Sequence, residues 1–116
     1  MINPQELRIG NYISNKKDIL FNVLPEDIET ISKFPDNYNP IPLTEEWLLR
    51  LGFHKGSIPE PDGSRCYYKG MLDVIFKTSN GFIYSNHKPS GHTKIEYLHQ
   101  LQNLYFALTG VELELK

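Results

Sequence analysis

The feature that most limits what this chain can fold into is the segment at residues 93–110, TKIEYLHQLQNLYFALTG. At about 100° per residue, Tyr97, Leu98, Leu101, Leu104, Tyr105 and Leu108 fall on one side of a helix, and Ile95 and Phe106 widen that side. Glu96, Gln100, Asn103 and Ala107 are left for water. So broad an apolar face exceeds what one neighbour covers, so the helix is expected to lie on a sheet and also touch a second element. Thr93 and Glu96 have the spacing of a capping box and predict the helix start; Gly110 predicts its end. The segment carries no catalytic signature.

At 116 residues the chain fits one small domain, with a core large enough to need neither disulfide nor metal. No apolar run approaches the roughly 20 residues of a membrane-spanning helix. The start, MINPQELRIG, lacks the basic and apolar regions of a signal peptide. With Cys66 as the single cysteine, an intrachain disulfide is excluded and a cytoplasmic setting is expected. The net charge of −2 argues against bulk nucleic-acid binding. Its distribution is uneven. Residues 65–94 carry Arg65, Lys69, Lys77, Lys88 and Lys94 against Asp73 alone, a positive block in an acidic chain.

The organisation reads as one domain in three stretches. Residues 7–13 and 19–24 predict two strands joined by a polar turn, with Gly10 as a bulge or tight bend. EDIETI after Pro25 fits a helical turn or a short strand; the preceding strands favour a third strand and an antiparallel meander over residues 1–32, which a small barrel would close. Residues 33–43 form a proline-rich, extended connector. From residue 44 onward, Thr44 caps a two-turn helix, TEEWLLRLGF, with Gly52 at its end. Trp47, Leu48 and Leu51 must dock, because so short a helix does not stand on propensity. RCYY, MLDVIFK and FIYS predict three strands, the last two joined through Asn80-Gly81. VELEL at 111–115 reads as an edge strand. The expected class is α+β: an N-terminal antiparallel meander, and a three-stranded antiparallel sheet packed on one long helix.

Few residues suggest chemistry. His87 and His92 share a loop but match no zinc spacing, and no metal or cofactor is expected. His99, on the helix margin, reads as a packed, hydrogen-bonded histidine. Cys66 in a strand lacks a helix N-terminus to activate it and reads as a small buried thiol. An enzymatic site would have to assemble His54, Cys66 and His92 from distant parts of the chain. No phosphate loop, nucleophile elbow or carboxylate pair is present, and the chain reads as a non-enzyme. Arg65, Tyr67, Lys69, Lys77, Tyr84, Lys88 and Lys94, with Phe82, mix cations and stackable rings as single-strand nucleic-acid surfaces do. The same letters also describe a sheet with aromatics inward and lysines outward. Alternation puts Arg65, Tyr67 and Lys69 on one side of their strand, and Leu72, Val74 and Phe76 opposite Asp73.

Three blocks, ELRIGNYI, PIPLTEEWLLRLGF and YLHQLQNLYFALTGVEL, resemble a family of uncharacterised small proteins of bacterial phages and prophages. The resemblance implies an accessory protein of a mobile element inside a bacterial cell, and transfers no site residue. Proteins of this kind often bind a host protein, and inhibitors of host defence nucleases, anti-CRISPR proteins among them, are one class. The expected function is therefore non-enzymatic binding of a host protein, such as a defence nuclease or its RNA-bound complex. The alternative is a single-stranded nucleic-acid module that uses residues 65–94. No membrane partner is expected.

Overall fold

The computed structural model describes residues 2–57, 63–70, 72–77, 81–86 and 92–113. The N-terminal part is a three-stranded antiparallel sheet with one helix, its first strand lying between the second and the third. Its strands are β1 (Tyr12–Asn15), β2 (Leu20–Asn22) and β3 (Tyr38–Asn39). The first strand begins later than the sequence suggests, because Gly10 adopts φ +96 and the amide of Asn11 closes a turn onto the carbonyl of Arg8 at 3.1 Å. The β1–β2 turn is held by the side chain of Asn15, which accepts from the amides of Lys17 and Ile19.

The strand expected after Pro25 is instead α1 (Pro25–Lys33). Proline is tolerated in the first turn, where its missing N–H had no partner to lose. The Asp27 carboxylate accepts from the amide of Leu24 at 2.9 Å, and Glu26 and Asp27 sit at the positive end of the helix dipole. Ile28 and Ile31, three apart, face the sheet together. The third strand of the meander comes from Tyr38–Asn39, within the segment expected to be a plain connector, after a 3-10 turn at Pro35–Asn37. No closed barrel forms. Ile2, Ile13, Val23 and Ile31 make a small core here, flanked by Leu7, Phe21, Ile28 and Tyr38.

The second part is a five-stranded antiparallel sheet, β4 (His54–Lys55), β5 (Arg65–Lys69), β6 (Leu72–Lys77), β7 (Phe82–Asn86) and β8 (His92–Ile95), in sequence order. The three expected strands lie in the middle, and β4 and β8 extend the sheet at its edges. Thr93 is therefore not a helix cap. Its segment pairs with β7, Ile83 opposite Ile95 and Ser85 opposite Thr93. Gly81, at φ +74, donates its amide to the carbonyl of Lys77 at 2.8 Å and closes the β6–β7 loop; Asn80 lies outside the described residues.

Helix α2 (Glu45–Arg50) starts at Thr44, whose hydroxyl accepts from the amide of Trp47 at 3.4 Å. It ends in a Schellman motif: Phe53 donates to Leu48 and Gly52 to Leu49, both at 3.0 Å, with Gly52 at φ +89. The long helix α3 (Leu98–Thr109) starts one turn later than expected. Gln100 supplies its cap, accepting from the amides of Glu96 and Tyr97, and Gly110 at φ +74 ends it. Residues 111–113 form no strand; the rest of VELEL lies outside the described residues.

The main core joins all three layers of this part. Leu98, Leu101 and Tyr105 of α3 pack with Leu48 and Leu51 of α2 and with Tyr67, Leu72, Val74, Ile83 and Ile95 of the sheet. Besides the five-stranded sheet and α2, α3 touches the N-terminal sheet, where Tyr12 packs on the main core and most of the contact is polar. Gln102 is fully buried; its Oε1 accepts from the amide of Tyr12 at 2.8 Å and its Nε2 donates to the carbonyl of Gly10 at 3.2 Å. Asn11, also fully buried, accepts from the amide of Arg8 and donates to Asn103. Arg8 donates to Asn103 at 2.9 Å and to Glu112 at 2.6 Å, and its guanidinium lies over the Phe106 ring at 4.3 Å. His99 is buried as expected, with Nε2 at 2.9 Å from the carboxylate of Glu6.

Two outcomes follow from this joint. Gln102→Leu keeps the volume but strands the Tyr12 amide and the Gly10 carbonyl, and is expected to cost at least about 2 kcal/mol in urea unfolding. The hydrogen bond from His99 holds the Glu6 carboxyl below its ordinary value of 4.5. A carboxyl depressed on folding stabilises the protein above its unfolded value, and that contribution is lost as the pH falls through the folded one. Unfolding midpoints taken below pH 4.5 should therefore fall less steeply for Glu6→Gln than for the wild-type chain.

Candidate functional site

The sequence singles out seven residues of the basic and aromatic block, and the sheet register separates them. Alternation along β5 puts Arg65, Tyr67 and Lys69 on one side, as expected, but that side is the core face. Lys77, Tyr84 and Lys94 lie on the opposite, outer face, and Lys88 lies outside the described residues. The seven therefore do not make one surface.

The core-face residues hold α2 in place. Tyr67 is 1% exposed, and its hydroxyl donates to the carboxylate of Glu45 in the first turn of α2. Lys69 donates to the carbonyl of Leu51 at 2.8 Å, at the other end of the same helix, and its ammonium lies 5.8 Å from the Tyr105 ring centroid. An anchor at each end explains how a helix of six residues persists, with the cation at the end where the helix dipole is negative. Burial pushes the Tyr67 phenol up to about 12, and the bond to the Glu45 carboxylate adds to the shift.

The outer face is built from alternate residues of the five strands. One row across it is Cys66, Ile75, Tyr84 and Lys94; another is His54, Tyr68 and Asp73; Lys77 stands opposite Phe82. Neither α2 nor α3 covers these rows, since both helices pack on the core face. Tyr68 is 46% exposed and Phe82 43%, while Cys66, Ile75 and Tyr84 are half-buried. The Lys94 ammonium sits 3.6 Å from the Phe82 ring centroid, and the His54 and Tyr68 rings are 5.4 Å apart. The face thus offers rings and an aliphatic centre flanked by two lysines, with the Asp73 carboxylate beside them. Asp73 is on this face as the alternation predicts. Cys66 is half-buried here rather than packed in the core.

The trio that a small enzyme would need does not come together. Cys66 on β5 and His92 on β8 are separated by two strands, about 14 Å across the sheet. Among the described residues no three His, Cys, Asp or Glu side chains cluster to hold a metal ion, and no helix is long and apolar enough to cross a membrane; His87 lies outside the described residues.

The residues missed in the sequence are those around the N-terminal sheet. Gln102 lies about 40° from Leu98 on the helical wheel, between Leu98 and Phe106, and that placement is the signal that it is buried. A second concavity, between the N-terminal sheet and α2, is lined by Trp47, Arg50 and the Pro40-Ile41-Pro42 segment; nothing in the letters brings these elements together. No family model matches the chain, and no curated protein or solved structure matches it.

The chain's seven tyrosines offer a direct check on the Tyr67 anchor. In an ultraviolet titration of tyrosinate Tyr67 should ionise at about 12, above the ordinary value of 10. That late step should vanish in Tyr67→Phe and move to lower pH in Glu45→Gln. Because the folded value is raised, the stability that Tyr67 contributes is complete below pH 10 and lost between pH 10 and 12.

Proposed function

We propose that this chain is a non-enzymatic binding protein that engages a host protein through the outer face of its five-stranded sheet. The observation that carries the reading is the sheet face that, among the described residues, neither α2 nor α3 covers. Tyr68 and Phe82 remain 46% and 43% exposed around Ile75 and Tyr84, on a face that the helices leave open. Aromatic residues at the centre of a patch with polar groups at its rim are the composition of protein interfaces. Lys77 and Lys94 against Asp73 favour a partner surface that is acidic around an apolar centre.

The resemblance to phage and prophage proteins supplies the biological setting of this proposal. The host partner is then a bacterial protein, and a defence nuclease, alone or bound to its RNA, is the class that an anti-CRISPR-like inhibitor would meet. Such an inhibitor needs no catalytic group; it acts by occupying a surface that the nuclease requires. The chain would work in the cytoplasm of the bacterial cell.

One observation favours a second reading. Tyr68, Phe82 and Tyr84 share their face with Lys77 and Lys94, which is how single-stranded nucleic acid is held, by stacking and by phosphate contact. The acidic total charge weighs against it, because few cations are available to release counterions.

Two folded variants separate the readings. Tyr68→Asp with Phe82→Asp should abolish retention of a specific host protein by the immobilised chain, with circular dichroism unchanged. Retention by this variant at wild-type level would remove the sheet face as the interface. Binding of a labelled oligothymidylate at low salt, lost in Lys77→Glu with Lys94→Glu, would move the assignment to nucleic acid.

A further inference from the structure

We propose that the groove between the N-terminal sheet and α2 is a second binding site, and that it takes an extended, proline-containing peptide of a partner protein. None of its lining residues belongs to the five-stranded sheet, so the inference stands or falls separately from the sheet face.

The groove is open, with a volume of about 570 Å³, within the range of ligand sites. Its floor is apolar: Ile41 is buried, and Pro40, Pro42, Leu20 and the Trp47 ring surround it. Its rim carries solvent-facing donors that are not engaged by other described groups of the chain. The indole N–H of Trp47, the carboxamide of Asn39 and the guanidinium of Arg50 have no hydrogen-bond partner among the described residues. Arg50 is nevertheless held at the groove, with its guanidinium 4.2 Å from the Trp47 ring centroid. Asp18, at φ +60, adds one carboxylate to the rim without an ion-pair partner among the described residues.

On the β3 side of the groove the backbone disfavours an added strand, and the rim disfavours a helix. An added strand would need a ladder beyond β3, at the sheet edge. Pro40 and Pro42 have no N–H to give, the carbonyl of Ile41 already accepts from Leu98 at 2.8 Å, and the amide of Leu43 already donates to Glu96 at 3.0 Å. A helical peptide would bring carbonyls that are bonded within itself, leaving the rim donors unmatched. A polyproline II segment has the complementary chemistry. Its carbonyls are unbonded acceptors, its prolines carry no N–H, and its flat rings pack on Trp, Pro and Ile. The lone rim carboxylate, Asp18, then selects a Lys or Arg in the peptide.

Trp47 is the only tryptophan of the chain, so its fluorescence reports on the groove directly. The test is selection from a random dodecapeptide library on the full-length chain, followed by fluorescence titration of the enriched peptides. The expected result is a consensus of at least two prolines with a Lys or Arg, a saturable change in Trp47 emission, and affinity about tenfold weaker for Asp18→Asn. That variant keeps a residue that tolerates positive φ and so keeps the turn. Arg50→Gln should weaken binding as well. No enrichment, a proline-free consensus, or peptides that bind Asp18→Asn and Arg50→Gln as well as wild type would overturn the proposal. So would peptides whose binding is lost only in the sheet-face variant Tyr68→Asp with Phe82→Asp.

Discussion

The rest of the structure depends on one side-chain amide. Gln102 leaves the middle of the long helix and pairs with the backbone of residues 10 and 12, accepting from one amide and donating to one carbonyl. A carboxamide is the side chain that can make both bonds at once, and in full burial neither bond has water as a competitor. The two apolar cores meet across this joint. One lies between the three-stranded sheet and α1, the other between the five-stranded sheet, α2 and α3. Apolar packing is non-directional and would tolerate sliding of one part over the other; the hydrogen bonds of Gln102, Asn11, Asn103 and Arg8 set the orientation. The groove at Trp47 lies between the N-terminal sheet and α2, so it inherits its shape from this orientation.

A similar economy holds α2. The helix is too short to persist by itself, and β5 grips it at both ends, through Tyr67 to Glu45 and Lys69 to Leu51. Residues that look in the sequence like a binding patch are thereby committed to the interior. The helices take the core face of the sheet, and the outer face is left to Ile75, Tyr68, Tyr84 and Phe82, with lysines beside them. Tyr68 and Phe82 keep much of their surface exposed there, and the proposed partner would cover it.

Much of the fold was legible in the letters, and the failures have physical causes. Thr44, Gly52 and Gly110 act over one turn, through a cap or a positive φ, and a local effect can be read locally. The central strands β5, β6 and β7 carry their own alternation and turn residues. Residues 92–95 read locally as a helix start because Thr93 and Glu96 satisfy the spacing of a cap, while the pairing that makes 92–95 a strand comes from β7. The segment after Pro25 was misjudged for the opposite reason: its helix is local, but the third strand that seemed to need it is supplied by Tyr38 and Asn39, farther along the chain. Of the seven candidate binding residues, Lys77, Tyr84 and Lys94 share the open face, and alternation correctly grouped Arg65, Tyr67 and Lys69 while leaving undecided which face would be covered.

The sequence by itself determined the α+β class, the caps and turns, the central hairpins and the presence of a helix with too much apolar surface for one neighbour. These depend on propensities, periodicity and φ preferences, which act over a few residues. Only the tertiary structure decided which side of the sheet is buried, that the second neighbour of α3 is met through a buried carboxamide, and that Trp47, Arg50 and two prolines wall a groove. Those outcomes depend on contacts between residues as far apart as Arg8 and Glu112, and a one-dimensional pattern does not record which distant groups will share a dry, low-dielectric interior.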